Sequence, residues 1–239
     1  HVYLTNALEP AQDFSARFDF AIPALAHEAQ SVNTIKKRTH FTVVIGNPPY
    51  SGESSNTGGW ISALIKEYRY VEGKPLGEAN PRWLQDDYVK FIRLAQHLVA
   101  TTKVGIVGLI TNHAFLDNAT FRGARQNLLD SFSRAWFLDL HGNTKKMEKH
   151  PNGSIDVNVF EIQQGVAISL WLKSPKSNFT QLKHADVFGT RKYKSEVLSN
   201  SSLSEISWQS IHSKSPFYLF MPQDQTLFSE YQEFIKITE

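Results

Sequence analysis

The sequence predicts an α/β protein whose mainly parallel sheet carries an antiparallel edge. Three observations carry that prediction. Residues 41–45 (Phe-Thr-Val-Val-Ile), 104–110 (Val-Gly-Ile-Val-Gly-Leu-Ile) and 135–140 (Ala-Trp-Phe-Leu-Asp-Leu) are short apolar runs without polar alternation, the pattern of strands covered on both faces. Segments with apolar residues three or four positions apart separate these runs, as amphipathic helices do. The runs at 157–162 and 166–172 read as two more strands joined through Gln163-Gln-Gly165 without a helix, or the first as only an extended approach to the second, which suggests an antiparallel edge.

Composition supports a folded body. The 239 residues are 41% hydrophobic and include 16 Phe, 8 Tyr and 5 Trp, which excludes a disordered charged tail as the main content. The formal net charge of +2 is too small to argue for or against a polyanionic partner. With no Cys, disulfides, a thiolate nucleophile and Cys-ligated metals are excluded. No apolar run approaches 18 residues and no basic-then-apolar leader opens the chain, so neither a membrane span nor a secretory signal is expected. The opening His1-Val-Tyr-Leu-Thr reads as a strand already under way, as in a piece excised from a longer protein.

In order, residues 2–4 read as a short strand. In 13–31 the spacing of Phe14, Phe18, Ile22 and Leu25 is helical, but Pro23 interrupts it. After the run at 41–45, the polar stretch 53–59 reads as an open loop, and Trp60, Leu64 and Tyr68 mark a helix that ends at Gly73-Lys-Pro-Leu-Gly77. Asn80 and Pro81 offer a cap and first-turn proline to a helix reaching nearly to Ala100, with Leu84, Tyr88, Phe91, Ile92, Ala95 and Leu98 on one face. Phe121, Ala124, Leu128 and Phe132 mark another. Residues 145–154 read as a hydrophilic insertion, and Lys173-Ser-Pro-Lys-Ser177 as the boundary between a body at 1–174 and a connecting segment at 175–239.

The sharpest local signal is Asn47-Pro48-Pro49-Tyr50, directly after the first apolar run. Two prolines fix φ and remove two N–H donors, so the neighbouring carbonyls are held out rather than paired in a ladder. An Asn oxygen beside such a carbonyl matches the two protons of a planar amino group, and Tyr50 offers a flat face on which a base stacks. The same four residues also describe a proline-stiffened turn with a core tyrosine. Their place at the carboxyl end of a parallel-type strand, where open sheets bind ligands, is the argument for chemistry.

Residues 43–50, Val-Val-Ile-Gly-Asn-Pro-Pro-Tyr, resemble the catalytic motif of the N6-adenine DNA methyltransferases. Glutamine and RNA-guanine methyltransferases carry similar tetrads. The stretches 3–8, 88–98, 108–117, 125–128, 139–143 and 165–172 recur in order and look like the methyltransferase portion of the large single-chain, type I-like (type ISP) restriction-modification enzymes. The resemblance implies a partial class I (Rossmann-like) S-adenosylmethionine-dependent sheet and methylation of adenine N6 in double-stranded DNA. It also implies a cytoplasmic parent chain with nuclease, helicase-like and target-recognition regions, and no membrane partner. Asn47, Pro48 and Tyr50 fall on the positions that hold and stack the flipped adenine, with Pro49 shaping the loop. Asn6 falls where relatives carry an Asp near the cofactor adenine, and Leu8 on the adjacent apolar contact. The glycine-rich cofactor loop of the family lies upstream of the third strand, before His1, so this piece alone is expected to be inactive and to bind S-adenosylmethionine weakly or not at all.

The rival readings are methyl transfer to a glutamine amide or an RNA base, and a non-catalytic α/β coupling or nucleic-acid-binding module. Lys145, Lys146, Arg191, Lys192 and Lys194 are candidate DNA-backbone contacts, alongside Lys149, or else solvated loops. Arg122 and Arg125 are read as phosphate contacts or as helix-face and core-bridging groups. Asp86 and Asp87 are read as solvent-facing. His113 is read as a surface or internally satisfied residue, and His141, His150 and His184 as forming no metal constellation. The apolar strand at 41–45 is expected to present an edge that pairs with another chain or is covered by 13–31.

Overall fold

The computed structural model describes residues 2–11, 23–50, 54–78, 81–175 and 181–224. Its frame is a six-stranded mixed sheet in the order β1-β4-β6-β5-β7-β8. The strands are β1 (Val43–Gly46), β4 (Gly105–Asn112), β5 (Arg134–Asp139), β6 (Val166–Lys173), β7 (Gln181–Asp186) and β8 (Gln209–Ile211). A separate hairpin pairs β2 (Tyr70–Val71) with β3 (Lys74–Pro75). Helices α1 (Pro23–Arg38), α2 (Gly59–Ile65), α3 (Asp87–Ala100), α4 (Arg122–Ser131) and α5 (Arg191–Asn200) complete the described regular structure, with short 3-10 turns between them. No helix among the described residues is long and apolar enough to cross a membrane.

Pairing is parallel in β1·β4 and β5·β7, and antiparallel where β6 joins β4 to β5. Strands β1, β4, β5 and β7 therefore point the same way, and their carboxyl ends share one edge of the sheet. An antiparallel edge is present, as β8 on β7 rather than at 157–172 where it is expected. A second antiparallel strand, β6, lies inside the sheet, because its close-following run returns between β4 and β5. This mixed sheet is that of a class I, Rossmann-like methyltransferase fold.

Helices α3 and α4 cover one face. Tyr88, Ile92, Ala95 and Val99 from α3 meet Ala124 and Leu128 from α4 over Val107, Leu109, Phe137 and Trp171, and Phe220 stacks on Phe137 at 4.7 Å. Arg125, wholly buried, ties this layer together by donating to the carbonyls of Phe115, Asn118 and Phe217, so it bridges the core. Arg122 pairs with Glu78 at 2.7 Å. On the opposite face Val197 of α5 packs with Ile206 and Trp208 over Leu138, Ala185 and Ile168.

Several expectations are corrected. Strand β1 is not covered on both faces: Val44 packs on the α3 side, whereas Val43 and Ile45 are 52% and 82% exposed, and no described strand pairs with its outer edge. Residues 2–4 form no strand; the Leu4 amide donates instead to Glu28 Oε1 at 3.1 Å. Pro23 opens α1 rather than breaking a helix, as its missing N–H permits at the first helical position. Helix α3 starts at Asp87, after a 3-10 turn at Arg82–Gln85. Residues 157–162 are irregular. Beyond residue 175, β7 and β8 join the same sheet, with α5 between them in the chain. Asn80, Phe14, Phe18 and Ile22 lie outside the described residues, as do 51–53, 176–177 and the aromatic cluster at 228–234.

Candidate active site

The turn at 47–50 starts where the ladder must stop. Strand β1 pairs as far as Gly46 opposite Leu109, and Pro48 and Pro49 have no N–H with which to continue. Gly46 packs closely on β4, and a Cβ there would sit 3.2 Å from the Leu109 side chain, which would have to shift slightly. The chain turns out of the sheet with Pro48 buried and Asn47 exposed. The Tyr50 hydroxyl lies 3.0 Å from Asn47 Oδ1 and 3.2 Å from the Ile110 carbonyl, and has one proton to share between them. Burial pushes that hydroxyl up to about 12, so it is a neutral donor. The Tyr50 ring stands 5.8 Å from Phe160, tilted by 53°.

Phe160, which stands beside Tyr50, is not singled out by the sequence. Its loop is held by Asn158, whose Nδ2 donates to the Gly142 and Gln164 carbonyls at 3.1 and 2.6 Å, while its Oδ1 accepts from the Phe160 amide at 2.8 Å. Arg191 adds bonds to the carbonyls of Asn158 and Phe160.

Downstream of the turn, residues 54–56 are tied to α3. Lys90 Nζ donates to Ser54 Oγ at 2.7 Å and the Asn56 carbonyl at 2.6 Å, and Asp87 accepts from Asn56 Nδ2 at 3.0 Å and from the Ser54 hydroxyl. Asp86 and Asp87 are thus buried, not solvent-facing as expected. Burial, and then the neighbouring Asp87 charge, raise the Asp86 carboxyl to about 6. Asn6 joins this network, its Nδ2 donating to Asn56 Oδ1 at 3.0 Å and its Oδ1 accepting from the Leu8 amide. Leu8 is inside, in one buried cluster with Ile61 and Leu94.

A cavity of ≈ 370 Å³ lies between this segment and the turn, lined by Ala7, Gly46, Asn47, Pro48, Pro49 and apolar residues of α3 among others. This lining suits the flat base of S-adenosylmethionine. It offers no carboxylate for ribose hydroxyls and no array of N–H groups for the methionine end, so the described residues fit one part of that cofactor only.

A second polar cluster occupies the same sheet edge. Just after β4, His113 Nδ1 lies 3.1 Å from Asp139 Oδ1, at the end of β5. His141 (φ 51) and Gly142 (φ 81) turn the chain sharply after β5, and a Cβ on Gly142 would sit 2.4 Å from Asn158 Cα. His141 bonds Glu148 at 2.7 Å through Nδ1 and Asp186 at 2.8 Å through Nε2, and His184 also reaches Asp186, at 3.1 Å. Burial opposes charge on His141, but its bonds to Asp186 and Glu148 and the charge of Asp139 prevail and raise it to about 9. Against the effect of burial, the same pairing pulls Glu148 down to about 2 and Asp186 below the usual carboxylate range. Ligand atoms of His113, His141 and Glu148 lie within 4.8 Å of one another, a group to which neither His150 nor His184 belongs.

The candidate DNA contacts divide. Lys145 is exposed, Lys146 stands 3.6 Å from Asp117, and Lys192 is exposed beside Glu196. Arg191 is engaged by Glu161 and the 158–160 loop. Lys194 is corrected: it is fully buried, and its ammonium donates to Asp156 Oδ1 (2.7 Å), Leu140 O (2.6 Å) and Val157 O (2.8 Å), leaving no proton for a phosphate.

A family model described as Eco57I restriction-modification methylase matches residues 5–145. Three solved structures share the fold. The DrdV–DNA complex aligns with TM-score 0.66 and 24% identity over 83% of this chain and 20% of that chain. The ATP-dependent type ISP restriction-modification enzyme LlaBIII bound to DNA gives 0.68 and 24% over 86% and 14%. A nuclease-deletion mutant of the type ISP enzyme LlaGI, in complex with a DNA substrate mimic, gives 0.68 and 21% over 86% and 20%. This chain thus spans a fifth or less of each. No curated protein matches it.

Proposed function

The chain belongs to the Eco57I restriction-modification methylase family, and from that premise we propose that its 47–50 turn performs methyl transfer to N6 of an adenine extruded from duplex DNA. One observation carries the reading: Asn47 is exposed at the carboxyl end of β1, with the half-buried Tyr50 ring and Phe160 beside it. S-adenosylmethionine supplies the methyl group when bound.

The residues of the chain would act on the base. Asn47 Oδ1 and a backbone carbonyl of the proline turn accept the two amino protons, which draws the nitrogen lone pair out of conjugation and makes it a nucleophile. Tyr50 stacks on the base, a contact worth about 1–3 kcal/mol. When an amino proton reaches Asn47 Oδ1, the Tyr50 hydroxyl keeps a partner by donating to Ile110 O, so neither group is left unsatisfied. Lys145, Lys146 and Lys192 contact the phosphate backbone, and nuclease, helicase-like and target-recognition regions belong to the same cytoplasmic protein.

The test is product identity. Incubating the protein that carries this chain with duplex DNA and methyl-labelled S-adenosylmethionine, then digesting to nucleosides, is expected to place the label in N6-methyladenine. Label on cytosine, on an RNA base or on a glutamine amide would overturn the reading.

A further inference from the structure

We propose that His113, His141 and Glu148 form a binding site for a divalent transition-metal ion of the zinc type, which fastens the 143–148 loop to the carboxyl ends of β4 and β5. The site shares no residue with the 47–50 turn and stands or falls independently of the methyl-transfer reading.

The hydrogen bonds select the ligand atoms. The Lys146 amide donates to Asn143 Oδ1 at 3.1 Å, which fixes that side-chain amide with Nδ2 as the donor. Nδ2 points at His113 Nε2 at 3.2 Å, so Nε2 is the unprotonated nitrogen and Nδ1 carries the hydrogen given to Asp139. His141 is arranged alike, with Nε2 on Asp186 and Nδ1 facing Glu148. Each imidazole thus has one nitrogen on an aspartate, Asp139 or Asp186, while the other faces Asn143 in His113 and Glu148 in His141, and the second Glu148 oxygen accepts from the Asn143 amide at 2.9 Å. A carboxylate behind each ligating imidazole is the arrangement that orients histidines on metals.

Size and charge agree. The three ligand atoms lie within 4.8 Å of one another, and a tetrahedral ion bonded at about 2.0–2.1 Å holds its ligands about 3.4 Å apart, so modest side-chain movement closes the site. His113 and Asp139 are each 6% exposed and His141 9%. Gly165 seats the first ring, since a Cβ there would meet His113 Nε2 at 2.3 Å. Asp139, Glu148 and Asp186 find only histidines as ion-pair partners among the described residues. An imidazole offsets a carboxylate only when protonated, whereas one divalent ion offsets two with both imidazoles neutral. Two histidines and one carboxylate, with a fourth position open, suit zinc and its neighbours better than magnesium or calcium, which want oxygen shells.

The experiment is titration of the chelator-treated 239-residue chain with Zn²⁺ alone, followed by calorimetry and by ion content after dialysis. One ion per chain is expected. Glu148→Gln should weaken binding more than tenfold, and Asp186→Asn by about 10- to 100-fold, as loss of a group behind a ligand does. Co²⁺ in place of Zn²⁺ should give the intense visible bands of a four-coordinate site, lost in Glu148→Gln. Circular dichroism identifies a variant that fails to fold, in which case His113→Gln replaces it. Failure to bind at about 100 μM Zn²⁺, or binding that is unchanged in folded Glu148→Gln and His113→Gln, an adventitious ion only, would overturn the proposal.

Discussion

Two polar clusters stand at the same edge of the sheet, and they are built in opposite ways. The turn at 47–50 is contiguous in sequence, its backbone set by two prolines, and Asn47 faces solvent with Oδ1 engaged by one shareable tyrosine proton. The cluster of His113, Asp139, His141, Glu148 and Asp186 is assembled from the ends of three strands and a loop, and its polar atoms bond one another. The first is shaped to receive an external donor, and the second to hold chain segments together. Substitutions in the first should therefore change chemistry with little loss of stability, and those around the second should do the reverse.

The largest expected effect is on the structural side. Lys194 reaches the second cluster through Leu140 O, and Lys194→Met would strand the buried Asp156 carboxylate. Such a loss costs about 3–5 kcal/mol, to be read by urea unfolding, and Lys194→Met with Asp156→Leu should recover most of it. On the chemical side, Tyr50→Ala should weaken engagement of an extruded adenine by about 1–3 kcal/mol, while Tyr50→Phe, which keeps the ring, should lose far less. Base-analogue fluorescence in the protein carrying this chain would separate them.

That contrast also marks what the sequence discloses. The β-branched run placed β1 to within two residues, and the tetrad after it was legible because prolines act on the residues next to them. Coverage was not legible: whether Val43 and Ile45 are buried depends on neighbours that the strand itself does not encode. Strand β7 was missed because the buried residues of Gln-Leu-Lys-His-Ala-Asp are Leu182, His184 and Ala185, on two faces and none of them β-branched. Lys194, Asp86 and Asp87 are read as solvated because charge usually is, yet all three are buried, Lys194 and Asp87 through partners that lie far away in sequence. The histidine cluster was invisible for the same reason, since only parallel strand order brings the ends of β4, β5 and β7 together.

Smaller effects sharpen the comparison. Lys145→Ala should lower the slope of log affinity against log salt by about one for DNA binding, and Lys146→Ala by less, because Asp117 already stands 3.6 Å from it. Asp86 tests whether the support behind the turn stores a charge penalty. With its carboxyl raised to about 6, the folded chain holds that proton more tightly than the unfolded chain does, so stability is full below about pH 4 and falls as pH rises through about 6. Asp86→Asn should gain about 1 kcal/mol at pH 7.5, reduced by solvent screening from what a dry site would give, and nothing at pH 4. Thermal melts at the two pH values decide it.

The central claim is that Asn47 accepts an amino proton of the target base. Its direct test is single-turnover methylation by the protein carrying this chain with Asn47→Ala, alongside the DNA and cofactor affinities of that variant. A fall in rate on the order of 10²-fold or more, with both affinities within about twofold of wild type, is the predicted result for a group that acts mainly in the transition state. Methyl transfer at the wild-type rate would contradict it.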